Sequence, residues 1–459
     1  MIFKRSYLII LLFFSINGYS QNWQSLNGGA NNQALCIYGD TTNNILYAAG
    51  YFTSVGGIPA NYIAKWDGTT WSSMGSGLYG WGFGHHSFTE YKGKIVSALN
   101  TFSPSKQHIS SWSGTQWDSI GSNFSSGGIE GVITLNKELY SFGAFDIVNS
   151  IHYNGIAKFD TISNTWVSIG FPYTMPTTSA IIRCLQMYHG QLYAGGVFKD
   201  STGVIANIAR YNGSYWSIVG QGITGSMDDV FAMGVYQNEL YVAGAFTVND
   251  GNPWNNIARW NDTTWNDVGG GLTSFGQINS LLVLNNKLYA GGAYDAIGGI
   301  PAASIASWDG ANWCGLGNVT TSGTSCLAAI NHDLFLNCAT VWDTVTVNYI
   351  AQWIGGSYVD TCGFAITGIN EVRKMNSTLS VYPNPATNQI SIEFDLIETK
   401  NTSIEIKNVL GQTVKTTPNS SFQKGTNKIE MDVSEFSQGI YFVQLQSGNK
   451  IINQKFIKQ

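Results

Sequence analysis

The chain has 459 residues, 44% hydrophobic, 13% aromatic and only 11% charged, with 53 glycines. That mixture excludes a disordered chain and suits many short strands joined by tight turns. The formal net charge of −5, with no basic run, makes nucleic acid and anionic membrane poor partners.

Residues 1–20 read as a secretory signal. Lys4 and Arg5 form a positive start, and Tyr7 to Ile16 is an apolar run too short to cross a bilayer. Gly18 and Ser20 place small residues at −3 and −1 of a cut before Gln21. No later apolar run reaches the roughly 20 residues of a transmembrane helix, so the expectation is an exported, soluble protein.

A tryptophan then recurs at Trp23, Trp71, Trp117, Trp166, Trp216, Trp265 and Trp313, with Tyr358 in the eighth place. The spacings are 48, 46, 49, 50, 49, 48 and 45 residues. Each unit holds four short alternating apolar runs, the pattern of a four-stranded meander. In the fifth unit these are Ala232 to Tyr236, Leu240 to Ala245, Ile257 to Trp260 and the run holding Trp265. Gln237-Asn238 separates the first two, and Asn261-Asp262 the last two; Asp67-Gly68 and Asp309-Gly310 stand at the latter place elsewhere. Asn and Asp tolerate the positive φ such turns require. A unit of this size cannot bury both faces alone, so the units are expected to stack radially and close.

The order of signals resembles kelch repeats over residues 22 to 364. Gly195-Gly196 and Gly291-Gly292 keep the usual glycine pair; Gly50, Gly143 and Gly244 are single, and Leu99 replaces it in the second unit. The resemblance implies a β-propeller and no particular chemistry. Seven copies of the first strand predict seven blades over residues 21–364. The segment around Trp23 should lie beside the last blade, competing with or adding to the strand around Tyr358.

Six cysteines enter an oxidising compartment: Cys36, Cys184, Cys314, Cys326, Cys338 and Cys362. No CxxC pair points to zinc. Cys314 with Cys362, and Cys326 with Cys338 across a turn at His332, are candidate disulfides at the closure. Cys36 and Cys184 read as buried thiols in first strands.

After a linker at 365–376 the repeat stops. Residues 376–459 hold 8 Lys+Arg and 7 Asp+Glu, 15 charges in 84 positions. Strands are expected at Ile390 to Phe394, Ser403 to Ile406, Ile440 to Leu445 and Ile451 to Ile457. The runs LSVYPNPATNQISIEF from Leu379, IEIKNVLGQTVK from Ile404 and DVSEFSQGIYFVQLQSGNKIINQKFIK from Asp432 resemble a type A C-terminal sorting domain of type IX secretion. The matching positions include Tyr382, Pro383, Asn384, Pro385, Gly411, Gly439, Tyr441 and Lys455. The resemblance implies a small Ig-like β-sandwich at 377–459. It implies passage through the outer membrane by the type IX machinery, then removal of the domain. It further implies that the cargo is released or attached to surface lipopolysaccharide. An ordinary adhesive Ig-like module is the alternative.

Chemical motifs are sparse. No GxSxG, HExxH or P-loop is present, and no cofactor is implied. The kelch-like copper oxidases need paired histidines; of His85, His86, His108, His152, His189 and His332 only the first two are close. Asp228-Asp229 precede a first strand and could hold calcium or a sugar hydroxyl, or be exposed loop charge. Seven tryptophans fall in fourth strands. Trp66, Trp112, Trp260, Trp308 and Trp353 fall in third strands, where packing between blades explains them. Trp81, Trp254 and Trp342 fall in loops that open on one face. They could stack on sugar rings or grip a protein, or fold back onto their own blades. The expected function is non-catalytic binding of a glycan or protein at the cell surface. A polysaccharide-degrading or oxidising enzyme, and a purely structural surface component, are the rivals.

Overall fold

The computed structural model describes residues 23–354 and 379–459. Excepted are 78–86, 100–106, 125–126, 149–150, 153, 175–179, 201, 224–227, 247–254, 274, 317–322, 339–340, 343–344, 397–398, 409–411, 418–419 and 448–449. The described residues contain strands and no helix. Contacts divide the chain into two compact units, Met1–Ile366 and Thr367–Gln459.

In the first unit the chain folds into successive meanders. The first sheet is Ala34–Asp40, Ile45–Gly50, Ile63–Trp66 and Trp71–Ser73. The second is Phe88–Tyr91, Lys94–Leu99, Gln107–Trp112 and Trp117–Phe124, extended by Ile147–Val148 and Ile151–His152. The third begins with Ile129–Leu135, the fourth with Ile181–Tyr188, the fifth with Asp229–Tyr236 and the sixth with Gln277–Leu284; each has four antiparallel strands. The last contains Leu327–Ile330, Asp333–Asn337 and Ile350–Trp353.

Turn chemistry fixes the register. The first two strands of a sheet meet in two-residue turns with both φ values positive: Asn136-Lys137, Gln237-Asn238, Asn285-Asn286 and Asn331-His332. Such turns match the right-handed twist of the flanking strands. Between the third and fourth strands one side-chain oxygen collects the backbone N–H groups two and three residues on. Asp67 does so from Thr69 and Thr70, and Asp309 from Ala311 and Asn312. Asn212 and Asn261 do the same. Asp160 divides the task between its two oxygens, one for Ile162 and one for Ser163. This is the Asx turn.

The repeating tryptophan joins one sheet to the next. Trp166 Nε1 donates to the Ile120 carbonyl, Trp216 to Ile169, Trp265 to Val219 and Trp313 to Val268. Each acceptor lies three residues beyond the preceding tryptophan. Trp71 donates in the same way to Leu26, and Trp23 to Leu316. Trp117 Nε1 finds no acceptor. The pattern therefore passes from Trp313 through Trp23 to Trp71 without a break. Accordingly Trp23–Ser25 pairs with Ile350–Trp353, Trp23 opposite Trp353, in the place that the fourth strand fills in other sheets. Tyr358, the other candidate for that place, lies outside the described residues. The first strands of neighbouring sheets touch in sequence, and that of the last sheet touches that of the first. The architecture is all-β, built of propeller-like four-stranded sheets.

One pairing expected from the sequence is corrected. Cys326 and Cys338 are not bonded to each other; Cys36, Cys184, Cys326 and Cys338 all carry thiols. The turn is centred between Asn331 and His332, so Ile330 faces Asp333 and Leu327 faces Leu336. Cys326 thus lies across from Asn337, whose N–H bonds the Cys326 carbonyl, and Cys338 is one residue off. A one-residue offset places side chains on opposite faces. Cys338 packs with Trp23 and Leu316, and Cys326 with Cys36 and Phe88. Cys314 is held in a disulfide; Cys362, its expected partner, lies outside the described residues.

In the second unit, Leu379–Tyr382, Gln389–Leu396 and Gly425–Asp432 form one sheet. Thr413–Thr416, Lys400–Asn408, Gly439–Ser447 and Lys450–Lys458 form another. Alternate residues Ile390, Ile392 and Phe394 of the first, and Ile404, Ile406, Val443, Leu445 and Phe456 of the second, share one core.

Candidate functional site

The first strands of several sheets carry a bulge at the same place. The ladder skips Leu35, Glu130, Arg183, Phe231 and Asn279. A bulge leaves one residue unpaired and re-aims its side chain. In the third to fifth sheets this brings charge together. Arg183 Nη1 donates to Glu130 Oε1 at 2.8 Å, and Arg183 Nε to Asp229 Oδ2 at 3.0 Å. The guanidinium also lies 6.0 Å from the Phe231 ring. Side-chain exposure is 23% for Arg183, 14% for Glu130 and 12% for Asp229, so the cluster is only partly wetted. One guanidinium thereby ties three sheets, and its fork suits two carboxylates at once. Burial, and next the Asp229 carboxylate, push the neighbouring Cys184 thiol up.

Asp228 and Asp229 are both buried rather than exposed loop charge. Asn207 Nδ2 donates to the Asp228 carbonyl and to Ile223 O. Asn256 does likewise in the next sheet, donating to Gly276 O. The Asn207 clamp sets the backbone that starts the fifth sheet and so aims Asp229 at Arg183.

These bulges stand at the beginnings of first strands, the end from which the fourth-to-first connections arrive. In an up-and-down sheet the loops between second and third strands leave from that same end. Trp342 lies in such a loop, in the short strand Val341–Trp342 that pairs with Val345–Thr346. Trp81 and Trp254 lie outside the described residues, as do His85 and His86. An open groove of 360 Å³ occupies the same end at the seam of the first and last sheets, lined by Asn31, Ser54, Asn348 and Tyr349. Asn348 Nδ2 donates to Gly28 O there, and Asn348 O accepts from Ala30 N. These groups serve closure.

Sequence reading missed Glu130 and Arg183. A bulge has no signature in apolar alternation. The available signal was variation, Leu, Glu, Arg, Phe and Asn, at one place in an otherwise constant frame.

In the second unit the Pro-Asn-Pro motif docks on the final strand. Asn384 Oδ1 accepts from Ile457 N at 2.9 Å, and its Nδ2 donates to Lys455 O at 3.3 Å. Tyr382 Oη donates to Glu393. Tyr441 packs between Phe436 and Phe456 and donates to Ser437 O. Gly411 lies outside the described residues.

No curated protein matches this chain. Among solved structures it is similar to PorZ, described as an essential bacterial surface component of the type-IX secretion system of Porphyromonas gingivalis. Identity is 11% and the TM-score 0.49, over 94% of this chain and 60% of that one. The chain thus spans about three fifths of that protein. It also matches a glycoside hydrolase family 43 arabinoxylan arabinofuranohydrolase from Bacillus subtilis, at 10% identity and a TM-score of 0.25, over 94% of this chain and 96% of that one. Residues 380–459 match the secretion system C-terminal sorting domain. The second unit is therefore a sorting domain, and the protein is exported by type IX secretion to the cell surface or beyond.

Proposed function

We propose that the first unit is a seven-bladed, kelch-like propeller that binds a glycan or protein partner without catalysis. The second unit, an Ig-like sandwich, delivers it to the surface, where the cargo is released or attached to lipopolysaccharide. The observation that carries the binding reading is the Glu130–Arg183–Asp229 cluster. It is a polar platform held across three sheets, at the end from which the loop holding Trp342 leaves; the sequence alone assigns Trp81 and Trp254 to connections of the same kind. Carboxylates fixed by a guanidinium accept hydrogen bonds from hydroxyls, and loop indoles supply stacking faces for sugar rings.

A glycan array probed with the exported protein tests this. The Trp81→Ala/Trp254→Ala/Trp342→Ala variant is expected to lose the signal, and Asp229→Asn to weaken it. Full binding by both variants would reject this end of the molecule. Turnover of a bound polysaccharide would reject the non-catalytic reading.

A further inference from the structure

Cys36 and Cys326 stand 290 positions apart in sequence, yet their sulfurs are 4.0 Å apart. Cys36 lies in the first strand of the first sheet, and Cys326 directly precedes that of the last. Their backbones are stitched together. Asn337 Nδ2 donates to Ala34 O at 2.9 Å and to Leu35 O at 3.3 Å; its Oδ1 accepts from the N–H groups of Ser325 and Cys326. Ser325 Oγ donates to Leu35 O, and Cys326 Sγ to Ile37 O at 3.2 Å. Closing the gap to the roughly 2.05 Å of a disulfide gives up the Cys326 S–H bond to Ile37 O, while the bonds made by Asn337 and Ser325 do not involve either sulfur. Elsewhere the same stitch is made by residues that cannot bond covalently: Ser87 to Val132 O, and Cys184 to Val230 O.

We propose that Cys36 and Cys326 are joined by a disulfide in the exported protein, a covalent clasp between the first and last sheets. The export route crosses an oxidising compartment. The oxidant is itself a disulfide, either that of a thiol–disulfide oxidoreductase or oxidised glutathione. The Cys326 thiolate attacks one sulfur of the oxidant and releases its first thiolate. Cys36 then attacks the Cys326 sulfur and expels the second. Two S–H bonds break and one S–S bond forms; the oxidant's disulfide is reduced to two thiols, which take up both protons. The thiol pair favours that order: a hydrogen bond from Cys36 lowers Cys326, while the same bond and burial raise Cys36.

The test is a non-reducing tryptic map of the full chain exported through an oxidising periplasm, with a second sample treated with oxidised glutathione. Cleavage at Lys65, Lys287 and Arg373 places Cys36 in the peptide ending at Lys65 and Cys326 in residues 288–373. The two peptides are expected as one cross-linked species that reduction splits. Cys326→Ala should abolish it and Cys338→Ala should leave it. Without reductant, Cys326→Ala should unfold in denaturant about tenfold or more faster than the native chain; reductant, which opens the Cys314 disulfide in both chains, should bring the two rates together. Recovery of Cys36 and Cys326 as alkylatable thiols in both samples would overturn the proposal, as would a cross-link that survives Cys326→Ala.

Discussion

Replacing Trp23 by alanine probes the closing strand. The side chain is fully buried, donates to Leu316 O at 3.1 Å and meets Trp353 edge-on with ring centres 4.9 Å apart. Truncating a buried tryptophan costs about 3–5 kcal/mol. That range includes the lost ring contact, about 0.5–1.5 kcal/mol; the orphaned carbonyl adds up to about 1 kcal/mol. A loss of about 4 kcal/mol is roughly a thousandfold in equilibrium. Trp23→Phe keeps most of the packing and loses the N–H, so about 1–2 kcal/mol is expected. Guanidinium unfolding followed by circular dichroism reads both, with Trp216→Ala as the internal counterpart because Trp216 makes the same bond to Ile169. If Trp23→Ala lay within about 1 kcal/mol of the native chain while Trp216→Ala unfolded readily, the strand would not close the ring.

Arg183→Ala leaves Glu130 and Asp229 poorly hydrated and without their shared cation. A loss of about 1–3 kcal/mol is expected at neutral pH, discounted from the cost of a fully buried pair for the partial exposure; urea titration checks it, with Arg183→Lys recovering some of the loss. The turn aspartates give an acid limb. Hydrogen bonds from Thr70 and Thr69 lower Asp67, and those from Ser163 and Ile162 lower Asp160; burial would raise Asp309, but the N–H groups of Asn312 and Ala311 outweigh it. Because the folded-state values are depressed, this stabilisation is present above about pH 4, the unfolded value, and is lost as pH falls through the folded ones. The Asp67→Asn/Asp160→Asn/Asp309→Asn variant should fold, since Asn212 and Asn261 already make the same turn, and should show a flatter fall of melting temperature below pH 4. Removing residues 379–459 should trap the protein inside the outer membrane, read by fractionation and immunoblotting; unimpaired surface delivery would contradict the sorting role.

The strand frame was legible because alternation and turn residues are local. Ile257–Trp260 falls where the pattern places it, and Lys400–Asn408 merely outgrows the Ser403 to Ile406 run. The place of Trp23 was legible only in part: it repeats the motif of a fourth strand, so it belonged beside the last sheet, but the sequence left Tyr358 as a competitor for that place. What escaped depended on a single residue of register. The symmetry point at His332 misplaced Cys326 by one position and paired it with Cys338, whereas the thiol it meets, Cys36, belongs to the far end of the sheet order. Arg183 escaped for a related reason: only a bulge turns it toward Glu130 and Asp229.

The most direct test of closure is a cross-link between Gln24 and Gln352. These residues are cross-strand partners, and their side-chain amides meet at 2.8 Å. In a Cys36→Ala/Cys326→Ala background, Gln24→Cys/Gln352→Cys, oxidised and run on a non-reducing gel, should give a compact, faster-migrating chain closed over 328 positions, and neither single cysteine variant in that background should do so. An unshifted double variant that is natively folded by circular dichroism would contradict a ring closed by its N-terminal strand.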